Sequence, residues 1–296
     1  MDMVTAIVVA GLLQGGIYAL ISLGLTLMFG VLRVVNFGHG DFLMVAMYLT
    51  FLSVKFFGFD SLAASIITVP LFFITGTILY HLIIKRTFTA SDPLLAQVFA
   101  TVGLSILLQN LTLLIAGADV RQNESQIITG SITMGDIRME SIKILILCSA
   151  FVLGILVSLF LYKTTLGKQM RAVAQNITAA TLMGINVQRI YGWTFAISCA
   201  VIGLGGTLLS MTELSYPTVG LKFSLICFMT VVIGGLGSIR GAILGGLLIG
   251  VVEAGTSYLF GPIFSQAFVY VIFLAVLLLR PAGLFGQEGY LEAKAE

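Results

Sequence analysis

Charge is what this sequence has least of. Of 296 residues, only 9% are Asp, Glu, Lys or Arg, against about 25% in a soluble globular domain, which leaves too little polar surface to stay in water. Histidine occurs twice, at His39 and His81, and proline five times. With no cysteine or acidic cluster beside either histidine, a metal centre lacks its ligands. The three cysteines, Cys148, Cys199 and Cys227, all sit inside apolar runs. An odd count so placed argues against a disulfide framework and predicts buried, unreactive thiols. The net charge of +2 is small and spread over loops, which argues against nucleic acid as a partner. Catalytic signatures are missing too. No G-x-x-x-x-G-K-S/T occurs, and Leu166-Gly167-Lys168-Gln169 has the wrong flanks, so the chain is not expected to hydrolyse nucleotide itself. Without H-E-x-x-H or G-x-S-x-G, nothing reads as an enzyme.

What fills the chain instead is apolar. It is 58% hydrophobic with a mean hydropathy of +1.09, the composition of an all-α, polytopic membrane protein. A span needs about 20 apolar residues, and candidates fall at 3–31, 41–57, 61–84, 94–117, 142–162, 190–211, 223–236, 241–260 and 262–280. The 41–57 run is short and holds Lys55, and 223–236 is too short to cross unaided. The expectation is eight or nine transmembrane helices, some broken or re-entrant, in a single domain covering 1–296. The first run has no basic start and is too long for a cleaved signal, so it reads as a retained span.

The loops predict orientation. Residues 163–189 carry Lys163, Lys168, Arg171 and Arg189 with no acid among them. This loop, Lys85-Arg86, Arg240 and Arg280 belong inside by the positive-inside rule. Gly117 to Ser141 mixes Asp119, Arg121, Glu124, Asp136, Arg138 and Glu140, so it has no excess of positive charge and can be translocated. Its alternation and Gly-Ser chemistry from Ile127 to Gly135 suggest a small extracytoplasmic hairpin. Together these put the N-terminus outside and the C-terminus inside.

Glycine and buried polar residues mark candidate function. Gly237, Gly241 and Gly245 lie four apart, as do Gly246 and Gly250, so each set lines a helical face that lets backbones approach closely. Gly234-Gly235-Leu236-Gly237-Ser238 joins two apolar runs almost without a polar loop, as does Asn36-Phe37-Gly38-His39-Gly40-Asp41-Phe42. Both read as helix breaks, which in transporters border substrate paths. Arg33 sets the second break near the cytoplasmic interface. His39 is open to a proton-relay role or to a structural role at a helix start, and Asp41 makes a reasonable N-cap. Gln14, Gln109, Asn110 and Glu253 are polar groups within spans, each costly in hydrocarbon, and so are path candidates. Glu253 is open equally to a pathway role and to an interhelical hydrogen bond. The stretch Glu213 to Lys222, with Tyr216-Pro217, is placed outside, where a substrate-delivering partner can meet it.

These pieces occur in a fixed order. From the start come the Asn36–Phe42 break, the segment holding Arg171, Ala174, Asn176, Ala179, Ala180, Gly184 and Ile185, then Trp193-Thr194-Phe195-Ala196. The Gly234–Ser238 break follows, and Arg280-Pro281-Ala282-Gly283-Leu284-Phe285-Gly286 closes the set. Over nearly the whole chain this resembles the Liv-type permease subunits of bacterial ATP-binding-cassette importers for branched-chain amino acids. The resemblance implies that 163–189 is the coupling segment that docks on an ATPase. Such loops follow Glu-Ala-Ala-x-x-x-Gly; here Thr178 replaces the glutamate before Ala179-Ala180 and Gly184, which bears on the salt bridge of that position and not on docking. Asp41 stands where relatives often have glutamate. The implied partners are a second permease subunit, two ATPase subunits that bind ATP and Mg, an extracytoplasmic binding protein and the bilayer of a bacterial inner membrane. The chain itself carries no cofactor in this reading. Close relatives also carry urea or short amides, and a stand-alone secondary transporter is the rival class.

Overall fold

The computed structural model describes residues 3–34, 36–123, 125, 127, 128, 130–134 and 137–286. Eleven helices and one hairpin are present among them. In chain order these are α1 (Met3–Leu32), α2 (His39–Phe57), α3 (Ser65–Thr87), α4 (Pro93–Ala116), β1 (Ser131–Met134), β2 (Ile137–Glu140), α5 (Ser141–Lys163), α6 (Thr165–Gln175), α7 (Ile177–Leu182), α8 (Val187–Leu209), α9 (Val219–Gly234), α10 (Ile239–Phe260) and α11 (Pro262–Leu279). Eight are long and apolar enough to cross a membrane, and α9 is a shorter apolar helix. The protein is therefore an all-α, multi-pass membrane protein.

Local chemistry sets the ends. Asp92 caps α4, accepting from the Leu95 amide at 3.1 Å, and Pro93 occupies the first turn, where its missing N–H costs nothing. Gly58 ends α2 in a left-handed conformation (φ 66°). Inside α3, residues Tyr80–Ile84 form one π-helical turn, a distortion that gathers at functional positions.

Three expectations change. Asp41 is not an N-cap: α2 begins at His39 after Gly38, so Asp41 lies within the first turn, where its negative charge suits the helix dipole. The run that seemed to start at 41 thereby gains two residues and makes a 19-residue span. The hairpin sits later than the turn chemistry suggested, pairing Ser131 with Glu140 and Met134 with Ile137; Glu124 and Asp136 fall outside the described residues. Cys199 and Cys227 are buried but Cys148 is exposed, on the apolar face of α5 with Val152 and Ile155.

The chain divides into two compact units. One comprises residues 1–26, 128–155 and 226–296, the other 27–127 and 156–225. In the second, α8 is the most buried span and packs on α2 and α3 through small residues. A Cβ on Gly76 of α3 would meet Cys199 at 2.7 Å, and one on Gly203 would meet the Phe72 ring at 3.1 Å. Thr50 donates to Thr207 across the α2–α8 contact at 3.1 Å. Packing of this kind holds helices together where lipid offers no hydrophobic drive.

In the first unit, α1 and α10 meet glycine to glycine. A Cβ on Gly15 would lie 2.6 Å from the Leu247 Cα, one on Gly246 would lie 2.7 Å from the Ala19 Cα, and Gly250 sits against Gly11 and Gly15. The Gly246/Gly250 face read from spacing is thus a helix–helix seam.

Candidate functional site

The acid-free segment folds as two short helices, with three polar caps closing it in sequence. Thr164 accepts from the Gly167 amide at 3.0 Å to start α6, Asn176 from the Ala179 amide at 2.9 Å to start α7, and Asn186 from the Arg189 amide at 3.0 Å to start α8. Helix α7 ends in a Schellman motif. The Ile185 amide donates to the Ala180 carbonyl at 3.0 Å and the Gly184 amide to Thr181 at 2.9 Å, with Gly184 at φ 81°. Glycine is required at 184 by its backbone conformation, since a Cβ there would meet nothing within 4 Å.

Arg171 serves the segment's own fold. Its guanidinium lies 4.3 Å from the Tyr162 ring centre, and its Nε donates to the Leu161 carbonyl at 3.1 Å. Arg33 reaches the Ala174 carbonyl at 3.1 Å, and is the one described non-glycine residue with positive φ (56°). Ala180 is buried while Ala179 is exposed. Ala179 shares that outward surface with Ile177, Leu182 and the C-cap residue Met183, the last two each 83% exposed. Sequence reasoning missed this pair; the signal available was two apolar residues next to Gly184 in a loop otherwise basic and polar.

A polar cluster occupies the start of α2. Asn36, His39 and Asp41 are all buried. Asn36 folds its own turn, its Oδ1 accepting from the Gly38 amide at 3.0 Å. Gln109 of α4 donates to Asp41 Oδ1 at 3.0 Å and to Ser105 Oγ at 3.2 Å. Ser224 of α9 accepts from the Gly40 amide at 2.9 Å and donates to the Phe37 carbonyl at 3.2 Å. Gly40 and Gly220 let α2 and α9 touch: a Cβ on Gly220 would lie 2.8 Å from the Asp41 Cα, and one on Gly40 would strike the Gly220 carbonyl oxygen. Among the described residues, Asn36 Nδ2 and Asp41 Oδ2 are buried without a hydrogen-bond partner, an arrangement costly enough to need a reason. Ser105, Ser224 and Gly220 complete this cluster and were not singled out from sequence. Asn110 does not join it: its side chain is exposed and donates to the Ile106 carbonyl of its own helix at 2.7 Å.

Gln14, Glu253 and the second break belong to the other unit. Gln14 donates to the Tyr18 hydroxyl at 3.1 Å, and that hydroxyl donates to Glu253 Oε2 at 2.6 Å. The Gly234–Ser238 break is a tight turn, with Gly235 at φ 104° and Gly237 at φ 82°. Ser238 caps α10 through the Gly241 amide at 3.1 Å. The carbonyls freed by the break accept from later backbone: Leu284 donates to Ile233 at 2.8 Å and Phe285 to Gly234 at 3.2 Å. Protein, rather than a water-filled cavity, receives these groups. Residues 283–286, part of the closing sequence motif, thus meet the glycine motif directly.

Eight spans, paired glycine seams and a capped polar segment between spans describe the membrane part of a transporter. A family model for the permease component of branched-chain amino acid transport systems matches residues 7–279, and the chain belongs to that family. It is 31% identical to the high-affinity branched-chain amino acid transport system permease protein BraD of Pseudomonas aeruginosa, covering 94% of each chain. It is 29% identical to the corresponding LivH protein of Salmonella typhimurium, again over 94% of each. A probable branched-chain amino acid permease of Methanocaldococcus jannaschii is 28% identical over 94% of this chain and 91% of its own. No solved structure matches.

Proposed function

We propose that this chain is the transmembrane subunit of an ATP-driven importer and forms half of the translocation path for branched-chain amino acids. A second permease subunit supplies the other half. Two ATPase subunits bind ATP and Mg and dock on residues 163–189, and an extracytoplasmic binding protein delivers substrate. The chain sits in the cell's inner membrane with its N-terminus outside and its C-terminus in the cytoplasm.

The observation that carries this reading is the surface of α7. Ile177, Leu182 and Met183 are exposed on a short helix that is closed at both ends by caps. It stands in a basic segment between two spans, and such a segment faces the cytoplasm, where lipid cannot cover an apolar tip. Burial of one such side chain in a partner's cleft is worth about 1.5–3 kcal/mol. On the path side, Asn36, His39, Asp41 and Gln109 offer a carboxylate and amides suited to a polar amino-acid backbone, with Gln14, the Gly234, Gly235, Gly237 and Ser238 turn, and Glu253 as further candidates. The names of the relatives favour branched-chain amino acids over urea or short amides.

The test is co-purification with the ATPase, followed by uptake of labelled leucine with isoleucine, valine and urea as competitors. An ATPase pair that travels with the chain, and uptake that stops on ATP depletion, is the expected outcome. Uptake that persists on an ion gradient alone would mean a secondary transporter. Competition by urea alone would move the substrate class.

A further inference from the structure

A cavity of about 420 Å³ opens where the π-helical turn of α3 meets the start of α8. It lies within a single compact unit and shares no lining residue with the Asp41 cluster, while Asn186, Gln188 and Arg189 of its lining follow α7 at the end of the 163–189 segment. Its lining divides by chemistry. Phe73, Trp193 and Ala196 give an apolar floor, whereas Lys85 and Arg189 form a cationic rim beside His81, with no acidic side chain among the lining residues.

The rim is available. Among the described residues, the Lys85 and Arg189 side chains have no ion-pair or hydrogen-bond partner, and the chain has no Asp or Glu between Glu140 and Glu213 to supply one locally. His81 Nδ1 donates to the Thr77 carbonyl at 2.9 Å, so in the neutral ring Nε2 is an acceptor and the donors left for an anion are those of Lys85 and Arg189. The π turn adds a residue to the helix. Within it the Tyr80 hydroxyl donates to Gln188, at 2.8 Å to the side-chain oxygen, which ties α3 to α8 behind the cavity.

The floor continues outward. Ile74, Ile78 and Leu82 stand exposed on successive turns of α3, and Trp193 is 39% exposed beside Phe73, with ring centres 5.8 Å apart. A stripe of this kind faces acyl chains, and tryptophan marks the level of the headgroups. We propose that this cavity binds one anionic phospholipid of the cytoplasmic leaflet, its phosphate held by Lys85 and Arg189 and its upper acyl chain laid along Phe73, Trp193 and Ala196. Basic pockets between spans on that side are suited to acidic headgroups. Free phosphate would leave the apolar floor uncovered, so the lipid is the source chosen. The cytoplasmic assignment rests on the orientation proposed above; the presence of the site does not.

The test uses the full chain purified in mild detergent and offered phosphatidylglycerol or phosphatidylcholine, with bound lipid counted by native mass spectrometry. One phosphatidylglycerol should be retained per chain, and Lys85→Gln with Arg189→Gln should weaken it roughly thirtyfold, the factor expected of two membrane-proximal cations. Arg86→Gln, on the same helix and outside the lining, should not. Equal retention by the double variant, or equal retention of phosphatidylcholine, overturns the site. Displacement by millimolar inorganic phosphate would show an anion site without lipid character and overturn the choice of occupant. A cysteine at position 85 that labels from outside would reverse the leaflet and the orientation while leaving these binding results unchanged, so the two failures are distinguishable.

Discussion

The Tyr18 hydroxyl donates a 2.6 Å hydrogen bond to the Glu253 carboxylate, joining side chains 235 positions apart. Both stand at the seam where glycines bring α1 against α10. The bond separates two properties of Glu253 that sequence could not distinguish, its charge and its capacity to accept.

Glu253→Gln keeps an acceptor for Tyr18, so stability should hold within about 0.6 kcal/mol, the average for such bonds in membranes. Uptake should fall, because the proposed path uses the charge. The measurements are thermal unfolding in detergent and labelled uptake in vesicles. Near wild-type uptake would take Glu253 out of the path and leave it as an interhelical tie. Tyr18→Phe and Glu253→Ala, each alone and together, give the coupling energy by a double-mutant cycle.

Leu182→Asp with Met183→Asp should insert normally yet lose the ATPase in co-purification. The change reverses the character of an exposed surface without touching any packed residue. Unchanged co-purification would remove α7 from the docking surface. Gly184→Val acts differently: it strains a backbone at φ 81°, costing about 1–2 kcal/mol. Gly184→Asn, which tolerates that region, should retain more coupling than Gly184→Val.

Gly220→Ala should destabilise the protein by about 1–3 kcal/mol, since its methyl would press on the Asp41 backbone and overpack the α2–α9 contact. Gly103→Ala, with nothing within 4 Å of the added methyl, is the control and should be neutral or slightly stabilising. Unfolding midpoints that rank the two the other way would contradict the close approach.

Single cysteines at Gln122 and Gln175, in a background with the native three replaced, should label from opposite sides with an impermeant thiol reagent. Both positions are exposed, unlike the neighbouring Asn123, which is buried. Position 122 should react in intact cells and position 175 only after lysis. Same-side labelling would overturn the orientation drawn from Lys and Arg.

The spans were legible in sequence because hydrocarbon thickness and helical rise dictate a run of about 20 apolar residues. Their ends were less so, since caps decide them: α8 starts at Val187 behind Asn186, three residues before its apolar run suggested. Asp41 misled because an acid before Phe42-Leu43-Met44 looks like a cap, while the helix starts earlier, at His39 after Gly38, and Gly40 lies against Gly220 through a contact no local pattern encodes. Gln109 was legible as a costly intramembrane amide, and Asn110 carried the same signal although one position's rotation about α4 turns it outward. Leu182 and Met183 were hidden for another reason. Exposure of an apolar residue is a property of the folded surface, and composition alone assigns such residues to the core.

The turn at Gly234–Ser238 sets an order of events during biogenesis. Its Ile233 and Gly234 carbonyls gain their donors only when Leu284 and Phe285 have been synthesised, after the whole of α10 and α11. Completion of the turn therefore waits on backbone that follows both α10 and α11 in the chain.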